Sequence, residues 1–456
     1  MADSIKKAAS PWLPYVWVIL AVGALAAISN FAGDQILERL GELEDVPSAP
    51  ALASFALIAL CSFVSFYATR GTPLPSFIVA IALGIAGHKF FAPIVADTTA
   101  LSALVTGSAA IILFAGGLEV RLRAFIRFLA KVSLLACPGV LITGYGLSWA
   151  VQGLGATLGV ALVPTVVILL GAILASTDPA AIIPVMQGMH FKRRAAKDIV
   201  IAESALSDVT GALLTIAFIK LPLAAMTITA AYEALVAPAT YRFLADQIGY
   251  GVLFGIAGWA MLWVLSHIKR GYPDRYGVDQ SYFFATPIVA FTAAAVFGGS
   301  GFLAAFVAGL LFNTEEHMAE VEHFFYQMID GAAKPLIFLL VGALVDPGAL
   351  IAYAPVGIAV ALLFMFVLRP AMVFLMLGVY GFLPKSGRGL GFNELLFISF
   401  VRETGAIPAV LLVTAVARIT TPVNGLVEIG MWVILLTLVI APPLTPFVAR
   451  RLGVAE

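Results

Sequence analysis

Two stretches decide how this chain reads: Ser176-Thr-Asp-Pro-Ala-Ala181 and, about twenty residues on, Ala202-Glu-Ser-Ala-Leu-Ser-Asp208. Each lies inside a long apolar run, which puts Asp178, Glu203 and Asp208 at bilayer depth. A charged side chain at the centre of a spanning helix costs about 2.5–3.5 kcal/mol on insertion scales, so such residues mark ion or proton pathways. Three carboxylates this close in sequence imply a cation or proton site. The rest of the chain reads as a means of placing, neutralising or moving that site.

Composition agrees. Of 456 residues, 61% are apolar and 11% charged, against roughly 25% charged in soluble domains, which excludes a soluble enzyme built on one core. The formal net charge is zero, so whole-chain charge points to no nucleic-acid or acidic partner. Cys61 and Cys137 form no CxxC pair; they imply no disulfide framework or zinc site and are expected to be small buried hydrophobes. No Walker lysine motif points to ATP. The five histidines (His88, His190, His267, His317 and His323) fall at span ends or in loops, so no histidine relay crosses the membrane.

Hydropathy predicts an all-α polytopic membrane protein of about fourteen spans. They lie near 12–32, 51–69, 74–92, 100–119, 130–152, 161–188, 199–219, 245–267, 282–298, 300–313, 334–350, 352–380, 393–417 and 425–449. The first, near twenty residues, is too long for a signal-peptide core and is expected to span. With this count, 19 of the 26 basic residues, including Lys6, Arg121, Arg193, Lys269 and Arg450, fall on one side. Only five, Arg39, Lys89, Lys220, Arg242 and Arg418, fall on the other. The basic side is cytoplasmic, so both termini are expected inside. The acidic, leucine-periodic segment 33–50 suits an outer amphipathic helix, and the acidic segment 314–330 suits a solvated cytoplasmic helix face or, alternatively, a regulatory element. No hydrophilic tail or nucleotide-sensing module is expected after Glu456.

Two predicted spans are broken by helix-disfavouring residues. The sixth holds Asp178-Pro179 and Pro184; the thirteenth holds Glu403-Thr-Gly405-Ala-Ile-Pro408. Such breaks persist only where they line protein or a cavity. At corresponding positions of two halves, they point to an inverted-repeat transporter whose discontinuous helices cross at the site. Asp178, the Thr177 hydroxyl and the carbonyls freed by Pro179 could form an oxygen cage; alternatively Asp178 caps the half-helix that begins at Pro179.

Arg369-Pro370 and Arg402 lie inside spans twelve and thirteen, and a buried arginine needs a fixed counter-ion. The expected ion pairs are Glu203–Arg369 and, second, Arg402–Glu403, the latter with a purely structural role as the leading alternative. On the seventh span Ser204 and Asp208 share one face and Glu203 and Ser207 another. With Glu203 tied to arginine, Asp208 is expected to take a proton or a small cation, one excluding the other.

In this order and spacing, six motifs carry a resemblance covering nearly all of the chain after about residue 50: Leu113-Phe-Ala-Gly-Gly-Leu-Glu119, Thr177-Asp-Pro179, Glu203-Ser-Ala-Leu-Ser-Asp208, Gly299-Ser-Gly-Phe-Leu-Ala-Ala-Phe-Val-Ala-Gly309, Arg369-Pro370 and Gly405-Ala-Ile-Pro408. The chain resembles the monovalent cation/proton antiporter superfamily, in its sodium/proton exchanger (NhaP/NHE-like) branch. The resemblance implies Asp178 and Asp208 as ligands of the metal cation, with Thr177, Ser204 and Glu203 in support, and Ser207 beside them in the candidate ion- and proton-binding set. It also implies a homodimer. Ion-binding core helices at about 100–219 and 334–417 would move against scaffold helices at about 12–92, 245–313 and 425–449.

This sequence departs from the pattern at Ser207, where relatives carry Asn or a second Asp, and in one extra N-terminal span. The implied function is secondary active antiport, with no catalytic residues and no cofactor. A monovalent cation, sodium first with lithium or potassium as alternatives, would exchange for protons by alternating access. One-for-one electroneutral exchange is favoured, serving cytoplasmic pH and cation homeostasis. The expected setting is the lipid of the plasma membrane, the bacterial inner membrane. A sodium-binding channel or solute symporter, and a non-transporting sensor or scaffold, are the alternatives.

Overall fold

The computed structural model describes residues 13–43, 48–69, 75–177, 185–186, 188–270, 277–312, 325, 327–381 and 389–456. Asp178, Pro179, Pro184 and most of the acidic segment 314–330 lie outside these. The described residues are helical almost throughout, without named strands. Among the described residues, eight helices are long and apolar enough to cross a bilayer. Ser76–Ala86 and His88–Ala96, bent by 87° at Gly87, make a ninth if taken as one span. Shorter apolar helices, Pro164–Leu174, Phe283–Val296, Gly301–Phe312 and Ala406–Arg418, accompany them. Against the fourteen predicted spans, eight or nine qualify among the described residues, with these shorter apolar helices beside them.

The chain divides into two compact units, residues 1–104 with 327–347, and residues 105–326 with 348–456. In the first, Ser76–Ala86 crosses Lys334–Leu344 at Gly84 and Gly342. A Cβ on Gly84 would lie 2.9 Å from the Gly342 Cα and would collide with the Leu339 carbonyl. Lipid gives apolar helices no hydrophobic drive to associate, so small residues that let backbones approach supply the packing. The helix Leu13–Gly41 is continuous, so the acidic stretch from Gly33 extends the first span by about two and a half turns rather than forming a separate outer helix. Its Asp34 pairs with Lys89 at 2.5 Å.

In the second unit Thr98–Glu119 and Gly301–Phe312 meet the same way at Gly117 and Gly309, where an added methyl would strike the facing backbone. Beside this crossing the rings of Phe114, Phe283, Phe312 and Phe325 pack edge to face. Three π turns interrupt the helices: Leu135–Gly139, Ile329–Ala333 and Phe364–Leu368. Each holds or shortly precedes a proline (Pro138, Pro335, Pro370), whose missing N–H and ring clash break the regular ladder. Cys61 is buried as expected, but Cys137, in one of these turns, is exposed: the turn directs it outward.

Candidate functional site

The site grows from the helix Ala195–Ile219, which has small and apolar residues on almost every face and is buried along most of its length. It presents Glu203, Ser204, Ser207 and Asp208, all buried. Against it lies the end of Pro164–Leu174, a helix that starts on proline, is buried from Thr165 to its end, and stops three residues before Thr177. Residues 175–177 continue buried but no longer helical. They can approach closely because position 211 is glycine: a Cβ there would sit 2.6 Å from the Ser176 Cβ.

Backbone groups freed at such a stop must find partners, and serines of the neighbouring helix provide them. Ser204 Oγ donates to the Thr177 carbonyl. The Thr177 amide donates to Ser207 Oγ at 3.2 Å, and the two hydroxyls lie 2.8 Å apart. Ser207 Oγ also donates to the Ser204 carbonyl at 2.9 Å. Thr177 Oγ1 donates to Glu203 Oε1 at 3.4 Å. Because Ser204 touches Thr177, the face that carries Ser204 and, one turn later, Asp208 is turned toward this break.

Glu203 is held from the other side. Arg369 Nη1 donates to its Oε1 at 3.0 Å and Nη2 to its Oε2 at 2.9 Å, a two-pronged ion pair with side chains 1% and 2% exposed. Such a fork satisfies both carboxylate oxygens in a fixed geometry. Arg369 follows the π turn Phe364–Leu368 directly, and Phe364 of that turn lies beneath the guanidinium of Arg402, 3.7 Å from Cζ to the ring centroid. One irregular turn thus places both buried arginines.

Arg402 belongs to the second break. Phe392–Phe400 stops, residues 401–405 run buried and non-helical, and Ala406–Arg418 resumes. Arg402 Nη2 donates to the carbonyls of Leu174, Ala175 and Ser176 at 3.0, 2.9 and 3.4 Å. These groups end a helix and carry its partial negative charge, which a cation complements. Arg402 is therefore engaged by backbone and by Phe364 where an ion pair with Glu403 was expected: in the unwound strand it points to the other break, and Glu403 is buried next to it.

The structure brings together Thr177, Glu203, Ser204, Ser207 and Arg369, with Asp208 buried on the same helix; Asp178 lies outside the described residues. Sequence reasoning missed the carbonyl cluster held by Arg402 and the ring of Phe364, since neither backbone acceptors nor a π turn leave a residue signature. It also missed Thr404 and Thr437, although Thr404 stands in the quoted motif. A cavity of about 360 Å³ opens beside the site, reaching Ile201 and Ala202 and lined by Glu119, Arg121, Lys197 and Asp198.

A deeply buried arginine–glutamate fork between interrupted apolar helices describes a polytopic transporter, and comparison with known proteins says which kind. Residues 53–451 match the family described as sodium/hydrogen exchanger, transmembrane. The chain is 30% identical over 398 residues to the K(+)/H(+) antiporter NhaP of Alkalimonas amylolytica, covering 86% of this chain and 59% of that one. It is 28% identical to the K(+)/H(+) antiporter NhaP2 of Shewanella oneidensis, over 80% of this chain and 61% of the relative. It therefore spans about three-fifths of the length of these relatives. The sodium proton antiporter MjNhaP1 of Methanocaldococcus jannaschii shares its fold, with a TM-score of 0.65 at 21% identity over 88% of this chain and 100% of that one. The chain belongs to the sodium/hydrogen exchanger family, a family of multi-pass secondary transporters and not of enzymes.

Proposed function

We propose that this protein is a secondary antiporter that exchanges a monovalent cation for protons by alternating access, with Asp208 as the exchanging group. The observation that carries this reading is the division of labour on one buried helix. Glu203 is locked into a fork with Arg369, so both its carboxylate oxygens are already engaged. Asp208 is buried one turn beyond Ser204, on the helix face whose Ser204 hydroxyl donates to the Thr177 carbonyl, and in this proposal it faces the oxygens of that break. One carboxyl that takes either a proton or a hard cation among oxygens is the minimum an exchanger needs.

Asp178, from the motif next to Thr177, is the second proposed cation ligand. Ser207 serves in this proposal as a backbone clamp, as its bonds to Thr177 support. With no second acid at that position, this reading favours one-for-one electroneutral exchange. The relatives named as K(+)/H(+) antiporters and the fold neighbour named as a sodium proton antiporter make potassium and sodium the first cargoes to test, then lithium; cage size and field strength decide among them. The proposed setting is a bacterial inner membrane, as a homodimer in lipid, with core helices at about 100–219 and 334–417 moving against the scaffold. The cellular role is pH and cation homeostasis.

The test uses purified protein in proteoliposomes carrying a pH gradient, with sodium, potassium and lithium added in turn. Wild type collapses the gradient for at least one cation. Asp208→Asn folds, as judged by an unchanged size-exclusion profile, and leaves the gradient intact. Exchange by that variant would overturn the assignment.

A further inference from the structure

The second break is tied down by a copy of the device at the first. In the first, the Thr177 amide donates to Ser207 Oγ, the two hydroxyls are 2.8 Å apart, and Ser207 donates to the carbonyl three residues back on its own helix. In the second, the Thr404 amide donates to Thr437 Oγ1 at 3.1 Å and the two hydroxyls are 2.9 Å apart. Thr437 in turn donates to the Ile434 carbonyl three residues back, at 3.0 Å. The separations in sequence are similar, 30 residues and 33. A hydroxyl has one hydrogen and two acceptor sites. Thr437 spends its hydrogen on Ile434, so it receives both the amide and the hydroxyl hydrogen of Thr404. Thr404 and Thr437 are both fully buried, and nothing in the exchange reaction as described above uses them.

We infer that Thr437, on the last helix Leu426–Arg451, is a positioning residue for ion exchange, acting through Thr404 and Arg402 on the first break. The route is short. Thr437 fixes the strand 401–405, and two residues before Thr404 that strand sends Arg402 onto the carbonyls of residues 174–176. Thr177, the next residue, is the one held by Ser204 and Ser207. Loss of the Thr437 hydroxyl strands a buried amide, loosens the strand and lets Arg402 shift from those carbonyls. The ion site then changes shape without losing a ligand.

This inference rests on the exchange reading for its transport readout but has a second readout that does not. Thr437→Val keeps shape and removes the hydroxyl; Thr437→Ser keeps the hydroxyl. In proteoliposomes Thr437→Val is expected to raise the apparent KM for the cation roughly two- to tenfold, the worth of a neutral buried hydrogen bond, and Thr437→Ser to restore it. In hydrogen–deuterium exchange, peptides covering 401–406 exchange faster in Thr437→Val and at the wild-type rate in Thr437→Ser. Wild-type KM and wild-type protection in Thr437→Val would overturn the inference. So would a serine variant as impaired as the valine one, since packing of the methyl would then be the cause. If Thr437→Val does not fold, Thr404→Val, which keeps the Thr404 amide, must show a smaller KM shift in the same direction; an unchanged KM there overturns it. Absence of cation exchange by the wild-type protein would instead strike the exchange reading and leave the deuterium result to stand by itself.

Discussion

The two helix breaks are clamped alike and charged unlike. At each, a threonine amide is received by a hydroxyl of a neighbouring helix, and the threonine's own hydroxyl lies 2.8 or 2.9 Å from that same oxygen. At the first break the surrounding side chains are acids, Glu203 and Asp208. The second carries Arg402 beside a buried Glu403, and Arg402 reaches back to the carbonyls at the end of the first. The clamp is thus the shared structural need of any unwound segment in a dry interior, whereas the charges carry the difference in role. One break lies against the buried acids; the other supplies the positive charge that meets its carbonyls.

The contrast is broken hardest by attacking the fork that neutralises Glu203. Removing one partner of a buried ion pair leaves the other charge uncompensated and costs about 3–5 kcal/mol. Glu203→Gln should therefore lower the melting temperature in detergent more than any other single change named here, and exchange should disappear with it. The double variant Glu203→Met with Arg369→Met, which leaves no charge behind, should recover much of the thermal loss but none of the transport. A single variant that melts like wild type would mean that the fork is not what holds the helices Ala195–Ile219 and Arg369–Gly381 together.

Arg402→Lys probes the other side of the comparison with a smaller effect. Lysine keeps the charge and a donor for the carbonyls but loses the planar group that lies on Phe364 while its Nη2 reaches them. Hydrogen bonds to charged groups are worth about 1.5–3 kcal/mol, and part of that persists with an ammonium. The expected outcome is a melting temperature between those of wild type and Glu203→Gln, with slowed exchange. A larger loss than in Glu203→Gln would reverse the ranking of the two breaks.

How much of this was legible beforehand differs between the breaks for a physical reason. The first announces itself through charges in an apolar run: Glu203, Asp208 and Arg369 are expensive where they stand, and the Glu203–Arg369 pair follows from the need to cancel them. The second is held by Thr404 and Thr437, residues cheap enough to occur anywhere in a helix, and by carbonyls that every residue has. Arg402 was visible as a buried cation, yet its partners were not, because backbone acceptors exposed by a helix stop carry no side-chain signature. The π turn at Phe364–Leu368 was equally silent, since Pro370 permits several ways of breaking the ladder. Helix length misled as well: hydropathy falls at Gly33–Gly41, where the acidic residues were read as a new element, yet the helix runs on through them.

The weakest prediction concerns the loop after the first break, where the two broken segments also meet through Arg193. Its Nη1 donates to Glu394 Oε2 at 2.8 Å and its Nη2 to the Gly389 carbonyl at 2.9 Å, just ahead of the helix Phe392–Phe400. By count of bonds this resembles the Glu203–Arg369 fork, but the Arg193 side chain is 37% exposed against 1% for Arg369. Arg193→Gln leaves Glu394, 9% exposed, without its cation, but the substituted amide can still donate to it and water reaches the outer end of the pair. The loss stays below the roughly 3–5 kcal/mol of a fully buried pair. Glu394 also keeps a second donor, the Gly391 amide at 2.6 Å. Arg193→Gln should therefore shift the melting temperature slightly, less so in high salt, and leave the cation KM unchanged. A loss comparable to that of Glu203→Gln would show that this outer link, and not the buried fork, sets how the two breaks are held.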